Sequence, residues 1–123
     1  MYMNIKIRGV NFDLTPAIED YVNKKISSLE KFFGGQDSIL CEVEVGRTNG
    51  HQSSGDIFKA EVNITSGNVG QVYAVAEESD LYKAIDVVRD EAEREIVSKK
   101  SKKETLFRRG AQKIKGLLKN MRN

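Results

Sequence analysis

The feature that most constrains the fold of this chain is the order in which its apolar residues change their spacing. Period-two alternation predicts four strands, each with one apolar side. These strands cover residues 3–10, 39–45, 58–64 and 69–76. Spacings of three and four residues predict two amphipathic helices, one from Thr15 to the Gly-Gly pair at 34–35 and one that begins near Ser79 or Asp80. The element order is therefore β-α-β-β-β-α.

Four half-apolar strands and two amphipathic helices predict two packed layers. We expect an α+β fold with a four-stranded sheet and both helices on one face. The polar residues 47–56 predict a loop between the second and third strands. The other sheet face would remain in water, with charged side chains from three strands. These are Lys6, Arg8, Glu42, Glu44, Lys59 and Glu61.

Charge is distributed unevenly along the chain, although the net charge is only +2. Residues 1–80 contain 7 Lys/Arg and 12 Asp/Glu, whereas residues 81–123 contain 13 and 6. From Val97 onward, ten basic residues accompany a single acid, Glu104. Such a basic end is typical of proteins that bind a polyanion. A tail that only improves solubility has the same composition, so this alternative stays open.

The apolar spacing of the second helix fails after Val97. The charge block at 98–103 predicts a frayed helix end or a linker. Apolar residues between 114 and 121 again fit one helical face, so this tail could become a helix on a partner. A short isolated helix is marginal in water, and we expect disorder in the free tail. We predict a folded domain over 1–103 and a basic, flexible extension over 104–123.

Catalytic and metal-binding chemistry has little support in the residue inventory. The single histidine, His51, falls in the polar loop, and the single cysteine, Cys41, is predicted to point into the core. Two such residues cannot form a typical structural zinc site. The glycines follow neither a P-loop nor a dinucleotide-binding pattern. We expect no enzyme activity, no cofactor, no metal and no small-molecule substrate.

The location of the protein is also predicted from its composition. No apolar run approaches the roughly 20 residues of a membrane span, and charges interrupt the first residues where a signal peptide would be apolar. The lone Cys41 permits no internal disulfide. We expect a cytoplasmic protein that does not bind membranes and is monomeric when free.

Basic residues of the two helices form the candidate binding surface. Lys24 and Lys31 are seven residues apart, which places them on one side of the first helix. Basic residues of the second helix lead into the block at 98–103. Parallel helices on one sheet could join both groups into a single ridge. Alternatively, acids such as Glu93 balance two ordinary solvated faces.

Three stretches are recognisable as a set, namely NIKIRG at 4–9, the segment 15–32, and DLYKAID at 80–86. With the lysines that follow them, they resemble the ribosome hibernation promoting factor family. This family includes the ribosome-associated translation inhibitor and was once described as a sigma-factor modulation protein. The resemblance runs from Met3 to Lys103 and contains no catalytic motif.

The resemblance implies a fold similar to that of double-stranded RNA-binding domains. It also implies a protein that binds the small ribosomal subunit in the mRNA and tRNA channel, contacts ribosomal RNA through basic helix surfaces and inhibits translation. Matching positions assign RNA contacts to Lys25, Lys31, Arg94, Lys100 and Lys102. Charge alone adds Lys24, Arg89, Lys99 and Lys103, with Arg108 and Arg109 on the extension.

Some positions depart from the family pattern, and two alternative functions remain. Family members carry basic residues where this sequence has Glu19, Ser28, Glu91 and Ser98, which weakens the predicted ridge. A general double-stranded RNA-binding module would share the same fold and basic end. A small-molecule enzyme, or its regulatory subunit, would instead use Asp80, Tyr82 and Asp86 around a pocket. We interpret these three residues as structural, with direct RNA contact as the alternative.

Overall fold

The computed structural model describes residues 2–35, 38–48 and 56–121, without the side chains of Tyr2 and of residues 115–121. The predicted element order is confirmed. The elements are β1 (Tyr2–Val10), α1 (Pro16–Ser27), a 3₁₀ helix (Glu30–Phe32), β2 (Ser38–Arg47), β3 (Phe58–Ser66), β4 (Gly70–Glu78) and α2 (Leu81–Met121). The predicted loop position of His51 lies outside the described residues.

The four strands form one mixed sheet in the order β1-β2-β3-β4. β1 pairs in parallel with β2, whereas β2–β3 and β3–β4 are antiparallel pairs. A parallel pair needs a crossover connection, and α1 provides it. The predicted α+β architecture is confirmed, while the likeness to double-stranded RNA-binding domains remains an expectation.

A single hydrophobic core lies between the sheet and the helices. Val43, Val62 and Val72 from successive strands are each at most 2% exposed. One stripe of α2 packs on them, formed by Leu81, Ala84, Ile85, Val88, Ala92 and Ile96. Cys41 is buried in this core as predicted, and burial raises the pKa of its thiol to about 12. That environment suits a small apolar residue rather than a nucleophile.

α1 begins where the sequence predicts but ends earlier. The Thr15 hydroxyl accepts a 3.2 Å hydrogen bond from the backbone N–H three residues later, and Pro16 occupies the first helical position. The predicted continuation to the Gly-Gly pair is wrong, because α1 ends at Ser27 and a 3₁₀ helix follows. The hydroxyls of Ser27 and Ser28 donate to carbonyls three residues earlier. Such bonds compete with regular helical pairing.

α2 is longer than the sequence predicts. It runs without a break from Leu81 to Met121, through the block at 98–103 and into the tail. Most residues of this segment are strong helix formers. The packed first half of α2 also removes the cost of nucleating a new helix. The division into 1–103 and 104–123 remains a prediction. Among the described residues, no helix combines the length and hydropathy of a bilayer-spanning segment.

The close pairing of β1 with β2 depends on Gly46. A Cβ atom at this position would overlap the carbonyl oxygen of Val10, its partner in the parallel register. Gly46→Ala should therefore lower the free energy of unfolding by about 1–3 kcal/mol, the usual cost of overpacking. Gly110→Ala is the matched control, since a Cβ there meets none of the described atoms and should not destabilise the protein. Equal urea midpoints for both variants would contradict this packing.

Candidate nucleic-acid interface

The two helices run parallel across the same face of the sheet. Near their N-terminal ends, the rings of Tyr21 and Tyr82 meet edge to face with centroids 4.8 Å apart. Further along, Lys100 of α2 reaches Phe32, just after α1. Residue numbers therefore increase together along both helices. This is the arrangement that a common basic ridge requires.

A polar seam joins α1 to α2. The Tyr21 hydroxyl donates a 2.6 Å hydrogen bond to Oδ1 of Asp86, and the Nζ of Lys25 lies 3.4 Å from the same oxygen. Lys25 also lies over the Tyr21 ring, 5.6 Å from its centroid. The hydrogen bond to Asp86, followed by desolvation, raises the pKa of Tyr21 to about 12. Asp86 thus positions the ammonium group of Lys25 between the helices.

Asp80 caps the start of α2. Its Oδ1 accepts a 3.2 Å hydrogen bond from the backbone N–H of Tyr82, and its carbonyl accepts one from Ala84 at 3.0 Å. Together with the seam contacts of Asp86, this supports the structural interpretation of the Asp80, Tyr82 and Asp86 cluster. Tyr82 remains 40% exposed at the surface.

Arg89 serves mainly to hold α2 against α1. Only 15% of its side chain is exposed. It contacts Asp90 at 3.2 Å and Glu93 one turn away, and its Nε donates a 2.9 Å hydrogen bond to the Ser28 hydroxyl. Ser28 is one of the departures from the family pattern. For Arg89, the charge-balanced interpretation is therefore the better one.

Arg94 and Lys102 lie on the outer side of α2. Both line a shallow depression that also includes Val97. Arg94 pairs with Glu91, but its side chain is 71% exposed. Exposed ion pairs contribute little and are easily exchanged. Arg94 is therefore available to a phosphate at low cost.

Three lysines of the basic block bind backbone carbonyls of the domain. Lys99 donates to a carbonyl of β4, Lys103 donates to Asn68 in the β3–β4 turn at 2.7 Å, and Lys100 donates to Phe32 at 2.7 Å. Each ammonium group retains two further N–H donors and its full charge. The structure thus gathers three cations at one end of the domain without neutralising them.

The remaining predicted contact residues are exposed. Within the described part of the chain, Lys24, Lys31 and Lys102 have no carboxylate within ion-pair distance, and Lys31 lies 5.4 Å from the centroid of the Phe32 ring. Arg108 shares a groove with Lys100 and Lys103. Lys24 and Arg109 belong to neither this groove nor the depression beside Arg94.

Sequence reasoning missed two hydrogen bonds that join the helices. Tyr21 and Asp86 are separated by 65 positions, and Ser28 and Arg89 by 61. Helical spacing places Tyr21 in the apolar stripe of α1, but no local signal identifies the carboxylate that its hydroxyl binds.

Residues 5–104 match the family described as sigma 54 modulation protein / S30EA ribosomal protein. The chain belongs to this family. It is 32% identical over 100 residues to the ribosome hibernation promoting factor of Klebsiella oxytoca, covering 81% of this chain and 96% of that protein. It is 35% identical over 106 residues to the Bacillus subtilis ribosome hibernation promotion factor, covering 86% of this chain and 53% of that protein. This family member thus spans about half the length of the Bacillus protein.

Two solved structures have the same fold. The N-terminal domain of Thermus thermophilus protein Y superposes with a TM-score of 0.63 at 30% identity, covering 76% of this chain and 94% of that one. A ribosomal subunit interface protein from Coxiella burnetii gives a TM-score of 0.62 at 20% identity, covering 82% and 99%. The second likeness concerns the fold alone. The family resemblance inferred from the sequence is confirmed.

The seam can be tested through the titration of Tyr21. Asp86→Asn should lower the pKa of Tyr21 from about 12 toward its ordinary value of 10.0, because the amide is neutral and a weaker acceptor. Phenolate absorbance at high pH, compared between the wild type and Tyr21→Phe, isolates this group. Because the pKa of Tyr21 is higher in the folded state than in the unfolded one, the protonated hydroxyl stabilises the fold. This contribution to the free energy of unfolding is fully present below pH 10.0 and is lost as the pH rises to about 12. In Asp86→Asn, the free energy of unfolding should therefore depend less on pH over this range.

Asp90→Asn is the control for this titration, because Asp90 contacts Arg89 rather than Tyr21. It should leave the Tyr21 titration unchanged. A Tyr21 pKa that does not respond to Asp86→Asn would be incompatible with the described seam.

Proposed function

We propose that this protein is a ribosome hibernation factor that binds the small ribosomal subunit through its RNA and keeps the ribosome inactive in the cytoplasm. The observation that carries the proposal is the set of carbonyl-bound cations Lys99, Lys100 and Lys103 at one end of the helix layer. They belong to a chain whose relatives are named ribosome hibernation promoting factors. The proposed activity is occupancy of a site, not catalysis.

The proposed contact surface, which we call the cationic ridge, consists of exposed or carbonyl-bound basic residues of the helix layer. It comprises Lys24, Lys25, Lys31, Arg94, Lys99, Lys100, Lys102 and Lys103, and it continues into Arg108 and Arg109. Arg89 contributes to the ridge only by holding α2 against α1 through Ser28. Each cation that meets a phosphate releases counterions, so affinity should fall steeply with salt.

Preorganisation distinguishes this ridge from a flexible basic tail. Immobilising a long side chain on binding costs about 0.5–1.5 kcal/mol. Lys100 and Lys103 already hold fixed positions through their 2.7 Å hydrogen bonds. A phosphate can therefore bind their remaining donors at a smaller entropic cost.

Inhibition follows from occupancy in this proposal. A folded domain seated in the channel for messenger and transfer RNA would exclude both through its bulk and its charge. The reaction chemistry of the ribosome need not change. Binding would be reversible, since phosphate contacts weaken when salt competes for them.

The ridge is tested by replacing Lys99, Lys100, Lys102 and Lys103 together with Ala. Affinity for purified small subunits should fall, and the slope of log affinity against log salt should decrease by about one for each lost phosphate contact. Co-sedimentation at several salt concentrations measures both quantities.

An excess of unrelated duplex RNA should not displace the wild-type protein from small subunits. Displacement would identify a general double-stranded RNA-binding module instead.

The matched control removes cations from the opposite face of the sheet. Lys6→Ala, Arg8→Ala and Lys59→Ala should leave binding nearly unchanged. The single reversal Lys102→Glu should still weaken binding, and it disturbs none of the lysine–carbonyl contacts. Circular dichroism establishes that each variant is folded. Unchanged sedimentation of the ridge variants, or an equal loss in the control, would refute the assignment of this surface.

A further inference from the structure

A groove lies between the β3–β4 turn and the part of α2 that follows residue 99. Its volume is about 360 Å³, near the lower end of the roughly 300–1,000 Å³ range of small-ligand sites. Apolar atoms form most of its surface. The residues that line the groove include Val69, Lys100, Lys103, Glu104, Phe107 and Arg108.

Phe107 is the unusual member of this lining. It is 78% exposed, although an aromatic ring in water forgoes the favourable burial of its apolar surface. Cations stand on either side of it along the helix, Lys103 one turn before and Arg108 directly after. An exposed ring between positive side chains is the combination that binds single-stranded nucleic acid, whose bases stack on the ring while phosphates meet the cations.

We propose that this groove binds an unstacked base of a single-stranded RNA segment, with the base on the Phe107 ring and the adjoining phosphates on Lys103 and Arg108. The inference rests on the proposed function and deepens it. The RNA met by this part of α2 would be single-stranded, whereas phosphate contacts elsewhere on the cationic ridge require no free base.

Charge favours RNA over a protein partner at this groove. From Val97 onward, ten basic residues accompany one acid, and that acid, Glu104, lies in the groove lining. A second copy of this chain that presented the same groove would bring the same positive charge and would be repelled. A polyanion with flat apolar rings satisfies both features of the groove, its charge and its exposed aromatic surface.

The cations of the groove are already positioned. Lys100 and Lys103 are held by 2.7 Å hydrogen bonds to the carbonyls of Phe32 and Asn68. Each retains two N–H donors for a phosphate oxygen. Lys100, Lys103 and Arg108 also belong to the cationic ridge or its continuation, so one strand can follow the ridge and place its next base in the groove.

The test measures fluorescence anisotropy of the full chain with three oligonucleotides of equal length. They are a single-stranded RNA, a duplex RNA and an abasic single strand. Phe107→Ala should weaken binding of the single-stranded RNA at least about five-fold, since stacking of a base on an aromatic ring is worth at least about 1 kcal/mol. Phe107→Tyr should retain affinity, whereas Phe107→Leu should lose it. The abasic strand should bind all three variants equally.

Leu106→Ala is the matched control, because Leu106 is 67% exposed on the same helix but is not part of the groove lining. It should bind single-stranded RNA like the wild type. Wild-type affinity of Phe107→Leu would overturn the proposal by replacing stacking with simple apolar contact. Equal Phe107 dependence for duplex RNA would also overturn it, as would a self-association that Phe107→Ala abolishes.

Failure of this inference and failure of the proposed function are separable. If the wild type and all Phe107 variants sediment equally with small subunits and bind single-stranded RNA equally, the groove assignment falls while the hibernation function stands. If the wild type does not sediment with small subunits at low salt, the proposed function falls, whatever the oligonucleotides show.

Discussion

Burial of one apolar sheet face beneath two parallel helices is the constraint on which the rest of the molecule depends. The parallel pairing of β1 with β2 sends the chain across this face as α1, and α2 returns over β3 and β4. Because both helices share one face and one direction, the 3₁₀ helix after α1 comes to lie beside Lys100 of α2. The opposite sheet face carries charges of both signs, with four acids and three bases on the described strands. These are Glu42, Glu44, Glu61, Glu77, Lys6, Arg8 and Lys59.

The partner of each cation decides what that cation can do. Arg89 lies among carboxylates, so its charge is largely compensated and its contacts serve the packing of α1 and α2. Lys100 and Lys103 bind carbonyl oxygens, which are neutral acceptors that fix a side chain without cancelling its charge. Positive charge is thereby held in place at one end of the helix layer. Complementarity to phosphate depends on that difference more than on the number of basic residues.

Hydrophobic periodicity predicted every strand and the start of both helices, because those features depend on local patterns. The same periodicity did not predict that α2 continues through the lysine-rich block at 98–103, and the reason is physical. Lys99 and Lys103 continue the core-facing stripe of Ala92 and Ile96, but beyond the end of the sheet, where long stems can reach carbonyls and need no apolar cover. The stripe therefore continues although its apolar character stops. The candidate cations were predicted by charge, whereas their partners lie too far away in sequence to be found locally.

A continuous α2 changes the energetics of the basic extension. The helix has 41 residues and is therefore about 60 Å long at 1.5 Å per residue. An isolated tail would have to nucleate a helix on its partner, at the entropic cost of ordering each residue. Here the packed segment before Val97 supplies the nucleus, and the lysine–carbonyl contacts fix the direction in which the helix leaves the domain. The exposed side chains of residues 104–114 are thus presented on a continuous helix, which the proposed RNA partner would not need to order. The cationic ridge and the Phe107 groove lie on the same continuous helix. A partner that binds the ridge would therefore find the Phe107 ring at a defined distance and orientation.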